Sequence, residues 1–171
     1  MKFYPNMYKK NIEEINYKKL KKLGIKCLIY DLDNTIALID QHKITTEAKK
    51  LLTDLKKDFK IVIISNNVEK RVRDYARELD CDYVACAMKP STRGYKIIKK
   101  RYNFKPDEMC MIGDQIVTDI FGGNRFGMYT VLVDPLAKKD LKITSLNRFV
   151  EDKILKYYEK KNIMKKGEYY E

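Results

Sequence analysis

The stretch Cys27-Leu28-Ile29-Tyr30-Asp31-Leu32-Asp33-Asn34-Thr35 sets four consecutive apolar residues directly against a pair of aspartates. An unbroken apolar run of this length fits a strand covered on both faces, as in a parallel sheet. Working outward, 60–65, 83–86, Met109–Gly113 and Tyr129–Val133 read as four further strands, and all but 83–86 are almost continuously apolar. Helical periods separate them. Residues 47–57 put Ala48, Leu51, Leu52 and Leu55 on one face, with Thr45 or Thr46 as N-cap. Residues 68–79 do the same with Val72, Tyr75, Ala76 and Leu79, and residues 91–102, after Pro90, with Tyr95, Ile98 and Tyr102. A shorter period over 119–126 stops at Gly127. Strand and helix alternating in this way predict a doubly wound α/β sheet with right-handed crossovers.

Ligands of such a sheet bind outside the carboxyl ends of its strands, so the residues after each strand decide the chemistry. They are Asp31 and Asp33 after the first strand, Ser65-Asn66-Asn67 after the second, and Lys89-Pro90 past the third. After the fourth come Gly113-Asp114-Gln115, with Asp119 shortly beyond. Four aspartates gathered at one edge repel one another unless a cation joins them. An all-oxygen donor set without histidine or cysteine points to Mg²⁺, the usual partner of a substrate phosphate. Lys89 adds a fixed positive charge, and Ser65 with neighbouring backbone N–H groups can donate to phosphoryl oxygens. One aspartate can attack phosphorus and a second can protonate the leaving oxygen and then activate water.

Asp31-Leu32-Asp33-Asn34-Thr35, Ile64-Ser65-Asn66-Asn67, Lys89-Pro90 and Gly113-Asp114-Gln115-Ile116-Val117-Thr118-Asp119, followed by Phe121-Gly122-Gly123-Asn124-Arg125-Phe126-Gly127, resemble the haloacid dehalogenase (HAD) superfamily. The closest likeness is to its subfamily IIIA, in the YqeG-type branch that includes phosphatidylglycerophosphate phosphatases, over about residues 24–135. The resemblance implies a HAD-like parallel five-stranded sheet in the order 5-4-1-2-3. It implies Asp31 as nucleophile and metal ligand, and Asp33 as general acid/base and, through its carbonyl, metal ligand. Lys89 and Ser65 would bind the phosphoryl group, Asp114 would complete the metal ligands, and Asp119 would support the metal or Lys89. Thr35, Asn34 and Asn66 are expected either to support the ligating residues from behind or to sit in the loop around the phosphate, Thr35 and Asn66 at the substrate and Asn34 in support. Asn67 reads as a turn former or helix cap, the glycines at 122, 123 and 127 as packing and turn residues, and His42 is given no role.

The 171 residues suffice for one domain and not two, so the core at 24–135 is expected to carry a basic segment 1–23 and a helix and tail at 136–171. With 44% hydrophobic and 35% charged residues the chain is neither disordered nor membrane-spanning, and it is expected in the cytoplasm. Of the net charge of +12, +6 falls in residues 1–26 and +4 in 136–171. Such ends suit an anionic lipid surface or a nucleic acid, although an excess of 29 Lys over 7 Arg also fits coding bias with solvated lysines. Residues 1–23 are expected to be partly helical, 146–161 an amphipathic helix bearing Leu146, Phe149, Val150, Ile154, Leu155 and Tyr158, and the tail from Asn162 frayed. Cys27, Cys81, Cys86 and Cys110 form no metal-ligand spacing and read mainly as buried thiols.

Only 29 residues separate Thr35 from Ser65, and 23 separate Ser65 from Lys89. Neither interval can hold a cap domain, so the site is expected to be open and to accept a phosphate carried on something large. The reading that follows is a Mg²⁺-dependent phosphomonoesterase acting on phosphatidylglycerophosphate, peripherally on the inner membrane face. A capless phosphatase of nucleic-acid ends or small metabolites is the alternative enzyme, and an RNA- or ribosome-binding assembly factor the non-enzymatic one. The second aspartate, which binding alone does not need, speaks against the last.

Overall fold

The computed structural model describes residues 2–38, 44–137 and 144–171, with the backbone alone over 144–148. Among the described residues six strands form one sheet: β1 (Met7–Lys9), β2 (Cys27–Asp31), β3 (Lys60–Ile64), β4 (Asp82–Val84), β5 (Met109–Gly113) and β6 (Tyr129–Val133). Their order is β1-β6-β5-β2-β3-β4, and every neighbouring pair is parallel. Helices α1 (Tyr17–Lys22), α2 (Thr46–Leu55), α3 (Glu69–Glu78), α4 (Arg93–Tyr102), α5 (Phe121–Phe126) and α6 (Thr144–Lys160) connect and cover it. The five strands expected from the sequence keep the expected order.

Side chains along each strand alternate between two layers, as the two-residue period demands. Leu28, Tyr30, Ile61, Ile63, Cys110 and Ile112 pack with residues of α2 and α3. Cys27, Ile29, Val62, Ile64, Met109 and Met111 pack with Tyr95 and Ile98 of α4. Each large aliphatic side chain sealed in this way contributes about 1.5–3 kcal/mol relative to exposure. Local signals fix the helix ends: the Thr45 hydroxyl accepts from the Ala48 N–H at 3.2 Å to start α2, and Gly127, at φ 86°, ends α5 in the left-handed conformation.

The two ends of the chain depart from expectation. The first segment is partly helical as expected, with a 3-10 turn at Ile12–Glu14 and the short α1, but it is not helix and loop alone, because Met7–Lys9 adds a sixth, edge strand beside β6. Met7, Ile12, Ile15 and Leu20 are buried there, which supplies the driving force that a count of lysines conceals. The tail is not frayed either. Tyr8 and Tyr170 exchange backbone hydrogen bonds of 3.0 Å in an antiparallel bridge along the free side of β1. The hydroxyls of Tyr8 and Tyr169 donate to the two oxygens of Asp134 at 2.5 and 2.7 Å.

On α6, Tyr158 is buried, and Ile154 and Leu155 pack with Tyr8, Ile116, Ile120 and Leu132. Phe149 and Val150, expected on that inner face, are exposed together with Tyr157. Cys27 and Cys110 are buried as expected, whereas Cys81 is half-buried and Cys86 exposed. His42 and the side chain of Leu146 lie outside the described residues. The intervals before Ser65 and before Lys89 hold α2 with β3 and α3 with β4, so the core is capless. No helix among the described residues is long and apolar enough to cross a membrane.

Candidate active site

Strand order reverses between β2 and β5, whose first strand is followed by β3 on one side while β5 lies on the other. Asp31 ends β2, and Asp114 directly follows Gly113 at the end of β5. Residues Tyr30 and Ile112 are register partners, so these two carboxylates emerge side by side at the switch point. A carboxylate oxygen from each of Asp31, Asp114 and Asp119 lies within 4.8 Å of the others, and all three residues are buried.

Lys89 enters from the loop after β4, through a cis peptide to Pro90. Its ammonium donates to Asp31 Oδ1 at 2.6 Å and to Asp119 Oδ1 at 2.7 Å, and the side chain is 3% exposed. Asn66 holds the backbone of Lys89 at both polar groups: Lys89 N–H donates to Oδ1 at 2.6 Å, and Nδ2 donates to the Lys89 carbonyl at 3.0 Å. Asn66 therefore sets the position of Lys89, the supporting place expected as one of its two alternatives. Asp119 Oδ2 accepts from the Gln115 N–H at 3.1 Å, so both oxygens of Asp119 are engaged within the protein. A Cβ on Gly113 would lie 2.2 Å from Asp119 Oδ2, so only glycine lets that carboxylate lie against the end of β5.

Thr35 Oγ1 donates to Asp114 Oδ1 at 3.4 Å, while Asp114 Oδ2 is buried with no hydrogen-bond partner among the described residues. Asn34, at φ 62°, takes the left-handed conformation that asparagine tolerates and turns the chain after Asp33. Its N–H donates to the Ala37 carbonyl at 2.7 Å. Ser65 Oγ accepts from the Asn67 N–H at 3.1 Å and approaches Asp33 Oδ2 at 3.5 Å. Asp33 lies at the rim, apart from the buried carboxylates, and pairs with Arg71 at 2.7 Å.

Burial raises the Asp31 carboxyl to about 7, with Lys89 opposing and Asp119 reinforcing the shift. Burial also raises Asp114 well above the carboxylate range, and the charges of Asp31 and Asp119 add to it. For Lys89 burial disfavours the charged form, but the attraction of Asp119 and Asp31 outweighs it and its pKa lies above the ordinary lysine value. Three buried carboxylates thus face one ammonium, an electrostatic deficit that a divalent cation would close. The orphaned Asp114 oxygen and the all-oxygen donors fit Mg²⁺, held by Asp31 and Asp114. Asp119 fits as the support of Lys89 rather than as a direct ligand, because its oxygens are already occupied.

Sequence reasoning placed Asp31, Asp33, Ser65, Lys89, Asp114 and Asp119 at this edge, and the structure brings them together. It missed Arg71, which sits on α3 among Lys70, Arg73 and Arg77 and carries no signal separating it from a solvated charged face. It also missed Glu151 of α6, whose Oε1 accepts from the Val117 N–H at 3.1 Å and ties that helix to the helical turn Ile116–Ile120, which follows Asp114 and bears Asp119.

A family model described as "haloacid dehalogenase-like hydrolase" matches residues 3–127. A Bacillus subtilis (strain 168) protein named "Probable phosphatase YqeG" is 36% identical over 160 residues, which span 93% of each chain. The chloroplastic/mitochondrial phosphatidylglycerophosphate phosphatase 1 of Arabidopsis thaliana is 25% identical over 146 residues, 80% of this chain and 42% of that protein. Among solved structures, the HAD-hydrolase YfnB of Bacillus subtilis, crystallised with magnesium, superposes with a TM-score of 0.50 at 22% identity, over 61% of this chain and 50% of that one.

Proposed function

We propose that this chain, which belongs to the haloacid dehalogenase-like hydrolases, is a magnesium-dependent phosphomonoesterase that forms its phosphoenzyme on Asp31. The observation that carries the reading is the convergence of Asp31, Asp114 and Asp119 on one buried point, with Lys89 paired to Asp31 and Asp119 and an Asp114 oxygen unpartnered among the described residues. Magnesium, when bound by Asp31 and Asp114, supplies charge to offset the phosphoryl oxygens and lets Asp31 stay ionised.

Asp31 attacks phosphorus, and the bond from phosphorus to the leaving oxygen breaks as Asp33 donates a proton to that oxygen. Asp33, now a carboxylate, takes a proton from water, whose oxygen attacks phosphorus and breaks the bond to Asp31. Phosphate leaves and both aspartates return to their starting states. Lys89, fixed by Asn66 and Asp119, holds positive charge beside the transferred group, and Ser65 Oγ and nearby N–H groups donate to its oxygens.

The substrate class that fits best is an anionic lipid phosphomonoester, phosphatidylglycerophosphate in the first instance. The Arabidopsis relative bears that activity in its name. The two intervals of the core that could carry a cap hold only α2 with β3 and α3 with β4, and the two chain ends carry most of the positive charge. An apolar groove of about 400 Å³ lies between Phe3 and α6, lined by Val150, Ile154, Tyr157 and Tyr158 and rimmed by Lys2 and Lys153. Such a groove with basic edges suits an anionic membrane surface.

Mg²⁺-dependent phosphate release from phosphatidylglycerophosphate, nucleotides, sugar phosphates and 3′-phosphorylated DNA tests both levels. The lipid is expected to rank first, and Asp31→Asn to lower every rate at least about 10³-fold, the scale lost when a covalent nucleophile is removed. A lipid rate no higher than the generic esters overturns the substrate; a wild-type chain inert on all of them overturns the reaction.

A further inference from the structure

Asp33 has a conspicuous asymmetry. Arg71, in the first turn of α3, directs two N–H groups at a single oxygen, with Nε 3.1 Å and Nη2 2.7 Å from Asp33 Oδ1. Nη2 also reaches the Leu38 carbonyl at 3.3 Å, which ties the guanidinium to the loop that leaves the first aspartate pair. One helical turn further on, the Tyr75 ring lies 5.3 Å from the Arg71 guanidinium carbon and braces it. Among the described residues, the other oxygen, Oδ2, has only the long approaches of Ser65 Oγ at 3.5 Å and Asn67 Nδ2 at 3.4 Å, on the side where the phosphoryl group is to be held.

We infer that Arg71 is a positioning residue for proton transfer, fixing Asp33 by Oδ1 so that Oδ2 is the oxygen that carries the proton. The inference rests on the reading of Asp33 as acid and base. A proton on Oδ1 would face two N–H donors, whereas a proton on Oδ2 faces the phosphoryl edge. The terminal torsion of an aspartate is broad and two-fold, so an unanchored carboxyl would divide its time among orientations. With Arg71 in place, the Oδ2–H bond breaks as the leaving oxygen takes the proton, and Oδ2 takes the next proton from water. Arg71 itself exchanges no proton and forms no bond to substrate.

The test compares glycerol phosphate, whose alkoxide needs a proton to leave, with p-nitrophenyl phosphate, whose phenolate does not. The kcat/KM of each reports the step through loss of the leaving group. Arg71→Met is expected to lower kcat/KM for glycerol phosphate about 30- to 100-fold, a share of the 10²–10⁴ that general acid–base catalysis supplies, and for p-nitrophenyl phosphate less than about fivefold. Arg71→Lys, which keeps the charge but not the paired donors, should fall between wild type and Arg71→Met on the alkyl ester. In an Asp33→Asn background, Arg71→Met should cost less than twofold further. Equal losses on both esters, losses under twofold on both, or an undiminished loss in the Asp33→Asn background overturn the inference. Asp33→Asn as active as wild type on glycerol phosphate would instead overturn the reading of Asp33.

Discussion

At the scale of single residues, the governing fact is that Asp31, Asp114 and Asp119 crowd together in a buried space where one ammonium pairs with Asp31 and Asp119 alone. Without metal, burial lifts Asp31 from 3.8 to about 7 and moves Asp114 the same way. The folded chain then binds more protons than the unfolded one between about pH 4 and pH 7, so these groups make stability fall as pH rises through that window. Magnesium competes with the protons for the same oxygens. The gain in melting temperature on adding Mg²⁺ is therefore expected to be larger at pH 8 than at pH 5, about 5–10 °C at a hundredfold excess over its dissociation constant. Differential scanning calorimetry of wild type and Asp114→Asn checks this; equal shifts at both pH values, or an unchanged shift in the variant, would contradict it. Asp31 and Asp114 were legible in the sequence because each falls at a strand end, where an apolar run stops abruptly, and Asp119 because it follows Asp114 within the next turn. Arg71 was not, because one arginine among three in a helix of charges reveals its partner only once the end of β2 and α3 are placed side by side.

Among the elements, strands β2, β3, β5 and β6 were legible because burial on both faces leaves unbroken apolar runs, and α2 to α4 because their apolar positions repeat at helical spacing. The edge strand β1 was hidden by its length of three residues and by the lysines around it. The 162–171 segment was hidden because its partner is remote: pairing of Tyr170 with Tyr8 spans almost the whole chain. That segment also buries Met164 and stacks Tyr170 on Tyr4, with ring centroids 5.5 Å apart. Deleting 162–171 is expected to cost about 2–4 kcal/mol, the range for losing one buried side chain and its hydrogen-bonded neighbours. Urea denaturation of the truncated chain measures it, and a loss under about 0.5 kcal/mol would mean that the pairing contributes little.

For the molecule as a whole, charge and apolar exposure fall together. Of the net +12, +6 lies in residues 1–26 and +4 in 136–171, and α6 exposes Phe149, Val150 and Tyr157 between its lysines. If this face meets lipid, the chain should float with phosphatidylglycerol vesicles at about 50 mM salt, not with neutral vesicles, and should lose most of that binding near 1 M, where the Debye length is about 3 Å. Retention on DNA without flotation would shift the substrate reading to nucleic-acid ends. The bridge between Tyr8 and Tyr170 has one more consequence. An open sheet offers its outermost strands as templates for foreign chains, yet here one margin is sealed by the protein's own last residues and the other, β4, is only three residues long. Proteolytic nicking ahead of Tyr169 would unzip that seal and leave the backbone N–H and carbonyl of Tyr8 without their Tyr170 partners.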